Sequence, residues 1–169
     1  MRYEIIFESE RIIFTRLYKE LANEYLEMVN DIEVQKYISH NRDKFTLEKE
    51  IEWINSKLEA KANVFTMIEK ATNDFIGTIE IMNINNNIGE MGIAITRNKQ
   101  NNHFGQEAIK RLIKYAFNDL NLDALELNVY IFNPRGIACY KKCGFIMDGP
   151  GRDIDDYHMI IKKENFYEK

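Results

Sequence analysis

The sequence predicts a single α/β domain with a mixed sheet, and three observations carry that expectation. Stretches of β-rich composition alternate with stretches of helical periodicity along the chain. Turn-prone asparagines separate three β-rich runs between residues 64 and 96, so the sheet is expected to grow first by hairpins. From Ile88 to Tyr130 the order becomes strand, loop, helix, strand over about forty residues, the length of a βαβ unit whose two strands run parallel. At 169 residues the chain matches about one domain. No internal repeat, low-complexity segment or linker divides it, and residues 1–169 are expected to form one domain.

Each element has a local reason. Ile12 to Leu17 reads as a strand, after which Leu21, Tyr25, Met28 and Val29 fall at helical spacing until Asn30 and Asp31 interrupt them. Thr46 is the expected N-cap of a second helix, with Glu48 and Glu50 in its first turn and Leu47, Ile51, Ile54 and Leu58 as its apolar stripe. Trp53 is expected to pack beside that stripe. Val64 to Glu69 and Phe75 to Met82 form an expected antiparallel pair joined by Lys70-Ala71-Thr72-Asn73-Asp74. Asn83 and Asn85 to Asn87 then make a turn before the strand Ile88 to Thr96. A helix over Gly105 to Asn118 presents Ala108, Leu112, Tyr115 and Ala116 on one face, and Leu122 to Tyr130 is a strand again. Asn133 as cap, Pro134 in the first turn and Gly144 at the stop define one more helix. Phe145 to Met147 and Tyr157 to Lys162 finish the sheet.

Composition narrows the function. Lys and Arg number 23 against 27 Asp and Glu, a net charge of −4. Such a balance argues against a nucleic-acid partner, whose binding draws on clustered basic residues. Two cysteines, Cys139 and Cys143, cannot build a disulfide framework and suit a reducing cytoplasm. With His40, His103 and His158 dispersed, no metal site is expected. Apolar runs of only a handful of residues, and an N-terminus interleaved with Glu4, Glu8 and Glu10, exclude a membrane helix and a secretory signal. A cytoplasmic protein is the resulting expectation, monomeric or homodimeric. There is neither a Walker Gly-Lys-Ser/Thr nor a G-x-G-x-x-G run to support a nucleotide-binding alternative.

The loop Gln100-Asn101-Asn102-His103-Phe104-Gly105 joins a predicted strand to a helix start, where unpaired backbone N–H groups and the helix dipole favour an anion. Here the sequence resembles the GNAT superfamily of N-acetyltransferases, whose acetyl-coenzyme A motif runs Gln/Arg-x-x-Gly-x-Gly/Ala. Gln100 and Gly105 match it, and His103 departs from it. A second series resembles the family in identity and spacing: Asn128 to Arg135 with its Asn133-Pro134, then Tyr140-Lys141-Lys142-Cys143-Gly144-Phe145. Arg11 to Leu17, Phe75-Ile76-Gly77 and Gly89 to Ile93 resemble earlier parts, so the likeness covers nearly the whole chain. Its ribosomal-protein and polyamine acetyltransferase branches are the nearest in character.

The resemblance implies the GNAT fold: a central, mostly antiparallel sheet with one splayed parallel pair, here Ile88 to Thr96 and Ala124 to Tyr130, flanked by helices. It also implies acetyl-coenzyme A as co-substrate and an amine as acceptor. Residues Gln100, Asn101, Asn102, His103, Phe104, Gly105 and Gln106 would cradle the pyrophosphate with backbone N–H groups. Ile93, Ala94 and Ile95 would meet the thioester carbonyl through theirs. Asn133 is a helix cap that the resemblance also makes a holder of the cofactor arm. Tyr140 either fills space beside the core or, by resemblance, donates a hydrogen bond to the departing sulfur. Glu90 is either a solvated strand-end carboxylate or the general base that relieves the attacking amine of its proton. Acidic groups available to a cationic acceptor are Glu33, Glu80, Glu90, Asp153, Asp155 and Asp156. His103 has a Cβ where the motif glycine has none, although His and Asn visit the left-handed region more readily than most residues. A rival reading follows from that departure: a module that keeps the fold and binds coenzyme A without turnover.

Overall fold

A computed structural model of the protein describes residues 1–40 and 42–167. Among the described residues eight strands form one mixed sheet: β1 (Phe7–Glu8), β2 (Ile12–Thr15), β3 (Asn63–Glu69), β4 (Phe75–Asn85), β5 (Ile88–Ile95), β6 (Ala124–Tyr130), β7 (Ile146–Pro150) and β8 (Asp156–Lys162). Their order across the sheet is β1-β2-β3-β4-β5-β6-β8-β7. Six helices accompany them: α1 (Ala22–Asn30), α2 (Ile32–Ile38), α3 (Leu47–Glu59), α4 (Phe104–Asn118), α5 (Pro134–Lys142) and α6 (Lys163–Tyr167). The contacts of the chain group it into two compact units, Met1–Glu80 with Ile93–Phe104, and Ile81–Gly92 with Gly105–Lys169.

The first unit is organised around Tyr25. Its core gathers Leu17, Leu21, Ala22, Tyr25, Ile54, Val64 and Ile68, with Trp53, Ile51 and Leu58 partly buried against them. Trp53 and Phe75 both meet the Tyr25 ring edge-on, at 6.3 and 5.4 Å between centroids. Asn30 and Asp31, read from sequence as the end of a helix, do end α1. Asp31 also starts α2, its carboxylate accepting from the Glu33 N–H at 2.9 Å. On α3 the Thr46 hydroxyl caps Lys49 as expected, at 3.2 Å. The expected apolar stripe there is only half right: Ile54 is fully buried, whereas Leu47 is 42% exposed and Glu50 is buried instead. Burial raises the Glu50 carboxyl above its ordinary value. Lys99 ties the β3–β4 connection down by holding Glu69 at 2.6 Å and Asp74 at 3.0 Å.

The second unit contains the parallel pair. β5 and β6 align Ile88 with Ala124, Gly89 with Leu125 and Glu90 with Glu126, the register a βαβ crossover through α4 requires. Asn86 and Asn87, both at positive φ, form the β4–β5 turn, as a two-residue hairpin with the twist of its strands demands. Helix α4 buries Ala108, Ile109, Leu112, Ile113, Ala116 and Phe117. The last hairpin folds back so that β8, not β7, lies beside β6, pairing antiparallel from Ala124↔Lys162 to Tyr130↔Asp156. Helix α5 is bounded as its sequence dictates: the Asn133 side chain accepts from the Gly136 N–H at 3.0 Å, Pro134 opens the first turn, and Gly144 leaves the helix at φ 108°.

Tyr25 generates a prediction about stability. Its hydroxyl lies 2.7 Å from the Thr66 hydroxyl and accepts from the Tyr18 N–H at 3.1 Å, all in a core where Tyr25 is 1% exposed. Tyr25→Phe leaves these groups unmatched and is expected to cost about 1–3 kcal/mol in chemical denaturation. Burial, the largest cause, pushes the Tyr25 phenol from 10.0 up to about 12. The folded protein therefore holds this proton more tightly than the unfolded chain. Its contribution to stability is fully present below pH 10 and is lost as pH rises through 12, roughly 2–3 kcal/mol in all. The difference in stability between wild type and Tyr25→Phe should narrow over that window.

Candidate active site

The loop ahead of α4 is built from its own polar side chains. A single 3-10 turn at Arg97–Lys99 brings the chain to Gln100, whose side-chain amide donates to the Ile95 carbonyl at 3.0 Å. The Asn102 amide donates in turn to the Gln100 carbonyl at 3.1 Å. Asn101 and His103 sit at φ 63° and 64°, so the left-handed turns that glycine makes most easily are made here by Asn and His. Arg11, from the β1–β2 connection, spans the loop: it donates to the Asn102 carbonyl at 3.0 Å and lays its guanidinium 4.3 Å over the Phe104 ring. Phe104 is 4% exposed and starts α4, with Gly105, Gln106 and Glu107 completing the first turn. The backbone N–H groups of that turn have no acceptor within the helix, which makes the segment competent to hold an anion.

Ile93, Ala94 and Ile95 end β5 in the first unit, each only partly buried. Gly77 on β4 lies so near that an added Cβ would stand 2.0 Å from the Ala94 carbonyl oxygen. The Thr96 N–H, next in line, donates to Ile76 at 2.9 Å. Glycine at 77 is thus a condition for this strand end, a role that the Phe75-Ile76-Gly77 motif holds in the sequence without revealing why.

Glu90 lies on β5 in the second unit and is 7% exposed, so it is not a solvated carboxylate. The Arg152 guanidinium donates to its Oε1 at 2.6 Å, and the Asn83 amide donates to the same oxygen at 3.1 Å. The Glu90 carboxylate, with a hydrogen bond and its charge, raises the Arg152 guanidinium above its ordinary value. Neither partner was apparent in the sequence. Asn83 read as a turn residue, and Arg152 lies in the β7–β8 connection with no periodic signal to aim it.

Asn133 and Tyr140 lie at opposite ends of α5, in the same unit as Glu90. Asn133 spends its side-chain oxygen on the cap, and a Cβ at Gly136 would come 2.5 Å from its Nδ2, so the two residues fit each other closely. Tyr140 meets Phe145 edge-on at 6.2 Å. Burial pushes its phenol well above the ordinary value, with the neighbouring Cys139 and Cys143 adding to the shift. The group is therefore a neutral O–H donor at any physiological pH. Cys143 packs against the α4 start, its thiol 3.7 Å from the Gln106 carbonyl.

Of the acidic groups named from the sequence, Glu33 pairs with Lys36 at 2.7 Å, and Glu33 and Glu80 belong to the first unit. Asp153 and Asp156, in the second, add their charges to the field at Arg152, with Asp156 buried, while the Asp155 carbonyl accepts from the Ile131 N–H at 2.9 Å. Beside them the β6–β8 face carries a cluster that sequence reading missed: His158 reaches Glu126 through Nε2 and Asp148 through Nδ1, each at 2.9 Å. Glu126, Asn128 and His158 are brought together by the β6–β8 register, which was not legible because the return strand could equally have paired elsewhere. Among the described residues, no group of three or more His, Cys, Asp or Glu side chains could hold a metal ion, and no helix is long and apolar enough to cross a membrane.

Comparison with known proteins agrees with this geometry. The family described as acetyltransferase (GNAT) domain matches residues 11–146. The chain is 32% identical to the uncharacterized N-acetyltransferase p20 of Bacillus licheniformis, covering 94% of this chain and 96% of that protein. It is 31% identical to the spermidine N(1)-acetyltransferase of Vibrio cholerae over 58% of each. The crystal structure of spermidine N-acetyltransferase from Vibrio cholerae in complex with CoA and spermine superposes with a TM-score of 0.85 at 22% identity, covering 94% of this chain and 99% of that one. The fold is shared with that neighbour over nearly the whole chain, and the family match over residues 11–146 shows that the chain belongs to the GNAT family of acetyltransferases.

Proposed function

We propose that the protein, acting in the cytoplasm as one domain, transfers the acetyl group of acetyl-coenzyme A to a primary amine by direct attack in a ternary complex. The observation that carries this reading is the loop conformation: Asn101 and His103 take the positive φ values that the motif glycine would supply. With the loop so turned, the N–H groups from Asn101 to Gln106 serve the pyrophosphate, while the Gln100 N–H is already given to the Arg97 carbonyl at 3.2 Å. Arg11, at the Asn102 carbonyl, adds a positive charge to a loop that has none of its own.

Bound acetyl-coenzyme A supplies an acyl carbon activated as a thioester. The N–H groups of Ile93 to Ile95 polarise its carbonyl, and Asn133 steadies the pantetheine arm. An alkylammonium of pKa near 10 must lose a proton before its nitrogen attacks, and Glu90 receives it directly or through water. The N–C bond forms as the C–S bond breaks, and Tyr140 donates a hydrogen bond to sulfur as negative charge gathers there. A thiolate is a far weaker base than the Tyr140 phenolate, so Tyr140 keeps its proton and acts as a fixed donor.

The acceptor class follows from charge. The second unit gathers Glu90, Asp153 and Asp156 about Arg152, and Glu126 and Asp148 about His158, an acidic setting that favours a polyamine over a neutral amine. The Vibrio cholerae relative is named for spermidine, and this reading extends that class to the present chain. Thiol release should be measured with spermidine, a peptide α-amine and a neutral amino sugar. Spermidine is expected to be turned over fastest, and acetylation of the neutral amine alone would contradict the acceptor class. Tyr140→Phe is expected to retain acetyl-coenzyme A binding while lowering kcat by about a hundredfold or more. Unchanged turnover would remove Tyr140 from the reaction. Glu90→Gln is expected to lose a comparable factor in kcat while the fold survives.

A further inference from the structure

We propose that Arg152 and the turn that carries it are a positioning device for Glu90, fixing one carboxylate oxygen so that the other receives the amine proton. This deepens the reading above and rests on Glu90 as the base.

Two donors meet on one atom of Glu90. A carboxylate oxygen has two lone-pair directions, and both of those on Glu90 Oε1 are taken, by Arg152 Nη2 at 2.6 Å and Asn83 Nδ2 at 3.1 Å. No hydrogen bond from the described residues reaches Oε2. A buried carboxylate held this way cannot rotate without breaking two bonds, one of them charge-assisted. The free oxygen therefore has a fixed direction before any acceptor arrives.

Arg152 is itself fixed, although its side chain is 62% exposed. Its own N–H donates to Asn128 Oδ1 at 3.1 Å on the neighbouring strand. On either side, the Gly151 N–H donates to the Asp156 carbonyl at 2.9 Å and the Asp153 N–H to Asp156 Oδ2 at 3.3 Å. Three successive backbone donors are thus engaged, and the turn admits only glycine at 151. An added Cβ there would lie 2.4 Å from the Asp156 Cβ and 3.0 Å from Asn128 Oδ1. A loop that merely connected β7 to β8 would need none of this. What the pinned turn delivers is one guanidinium at one oxygen of Glu90.

The test uses the full-length protein and spermidine. Arg152→Ala is expected to lower kcat by about ten- to a hundredfold with little change in the acceptor KM, because misplacing a reacting group costs rate rather than binding. Arg152→Lys should recover part of the loss, and millimolar guanidinium ion should recover part of it in Arg152→Ala, since the position is open to solvent. Gly151→Ala should reproduce the loss while Arg152 is still present. Wild-type kcat in Arg152→Ala, or a loss that guanidinium does not relieve, would overturn the proposal. Adding Arg152→Ala to Glu90→Gln should cost nothing further if one acts through the other, and additive losses would also overturn it. Glu90→Gln with full turnover would instead sink the base assignment itself, so the two failures are distinguishable. Without any acceptor, nitrogen–proton spectra should show a restrained Arg152 guanidinium in wild type that Glu90→Gln releases. An identical signal in both proteins would show that the contact is not held in solution.

Discussion

A carboxylate taken out of water must be compensated, and much of the second unit follows from that requirement at Glu90. Its charge lies on β5 where the strand pairs in parallel with β6, and the compensation comes from Asn83 at the end of the preceding strand and Arg152 beyond β7. Losing either would leave a buried anion partly unmatched, which is why breaking such a pair is costly even where forming it adds little net stability. The Asn86-Asn87 turn, the glycine at 151 and the antiparallel return of β8 all serve to bring these two donors to one oxygen. The same arrangement leaves the second oxygen without a hydrogen bond from the described residues.

The first unit meets a different constraint, the conformation of a loop without its usual glycine. Asn101 and His103 make the left-handed turns, at a cost that Asn and His bear more lightly than β-branched residues. Arg11 and Gln100 offset it by binding the loop carbonyl at Asn102 and the strand end at Ile95. An arginine stacked on Phe104 and bonded one turn upstream also holds the first residue of α4 in register. The shape of the loop ahead of α4 thus depends on the side chains of Arg11 and Gln100.

Features set by a few neighbouring residues were legible in the sequence. Thr46, Asn133, Pro134 and Gly144 mark helix ends because capping is a local hydrogen bond, and the asparagine run marks a hairpin because positive φ is a local preference. Features set by distant pairing were not. Asp31 both ends one helix and starts another, which periodicity alone reads as a break. β1, at two residues, is too short for a pattern. Glu50 occupies a buried position on α3 where the stripe predicted Leu47. The largest omission was Arg152: Glu90 was legible as a candidate base, but its counterion lies 62 residues away in sequence and reaches it only through the β6–β8 fold-back. A sequence reading of the acidic run at Asp153, Asp155 and Asp156 saw charge for an acceptor and missed Arg152, on which Asp153 and Asp156 act.

The central claim is that this chain uses acetyl-coenzyme A, and calorimetric titration of the purified protein with that compound tests it without any knowledge of the acceptor. Saturable binding of acetyl-coenzyme A is expected, with ATP and NAD failing to compete. Absence of binding at millimolar ligand would contradict it, because a loop whose left-handed turns are in place but which holds no pyrophosphate would leave the acetyl donor without a site.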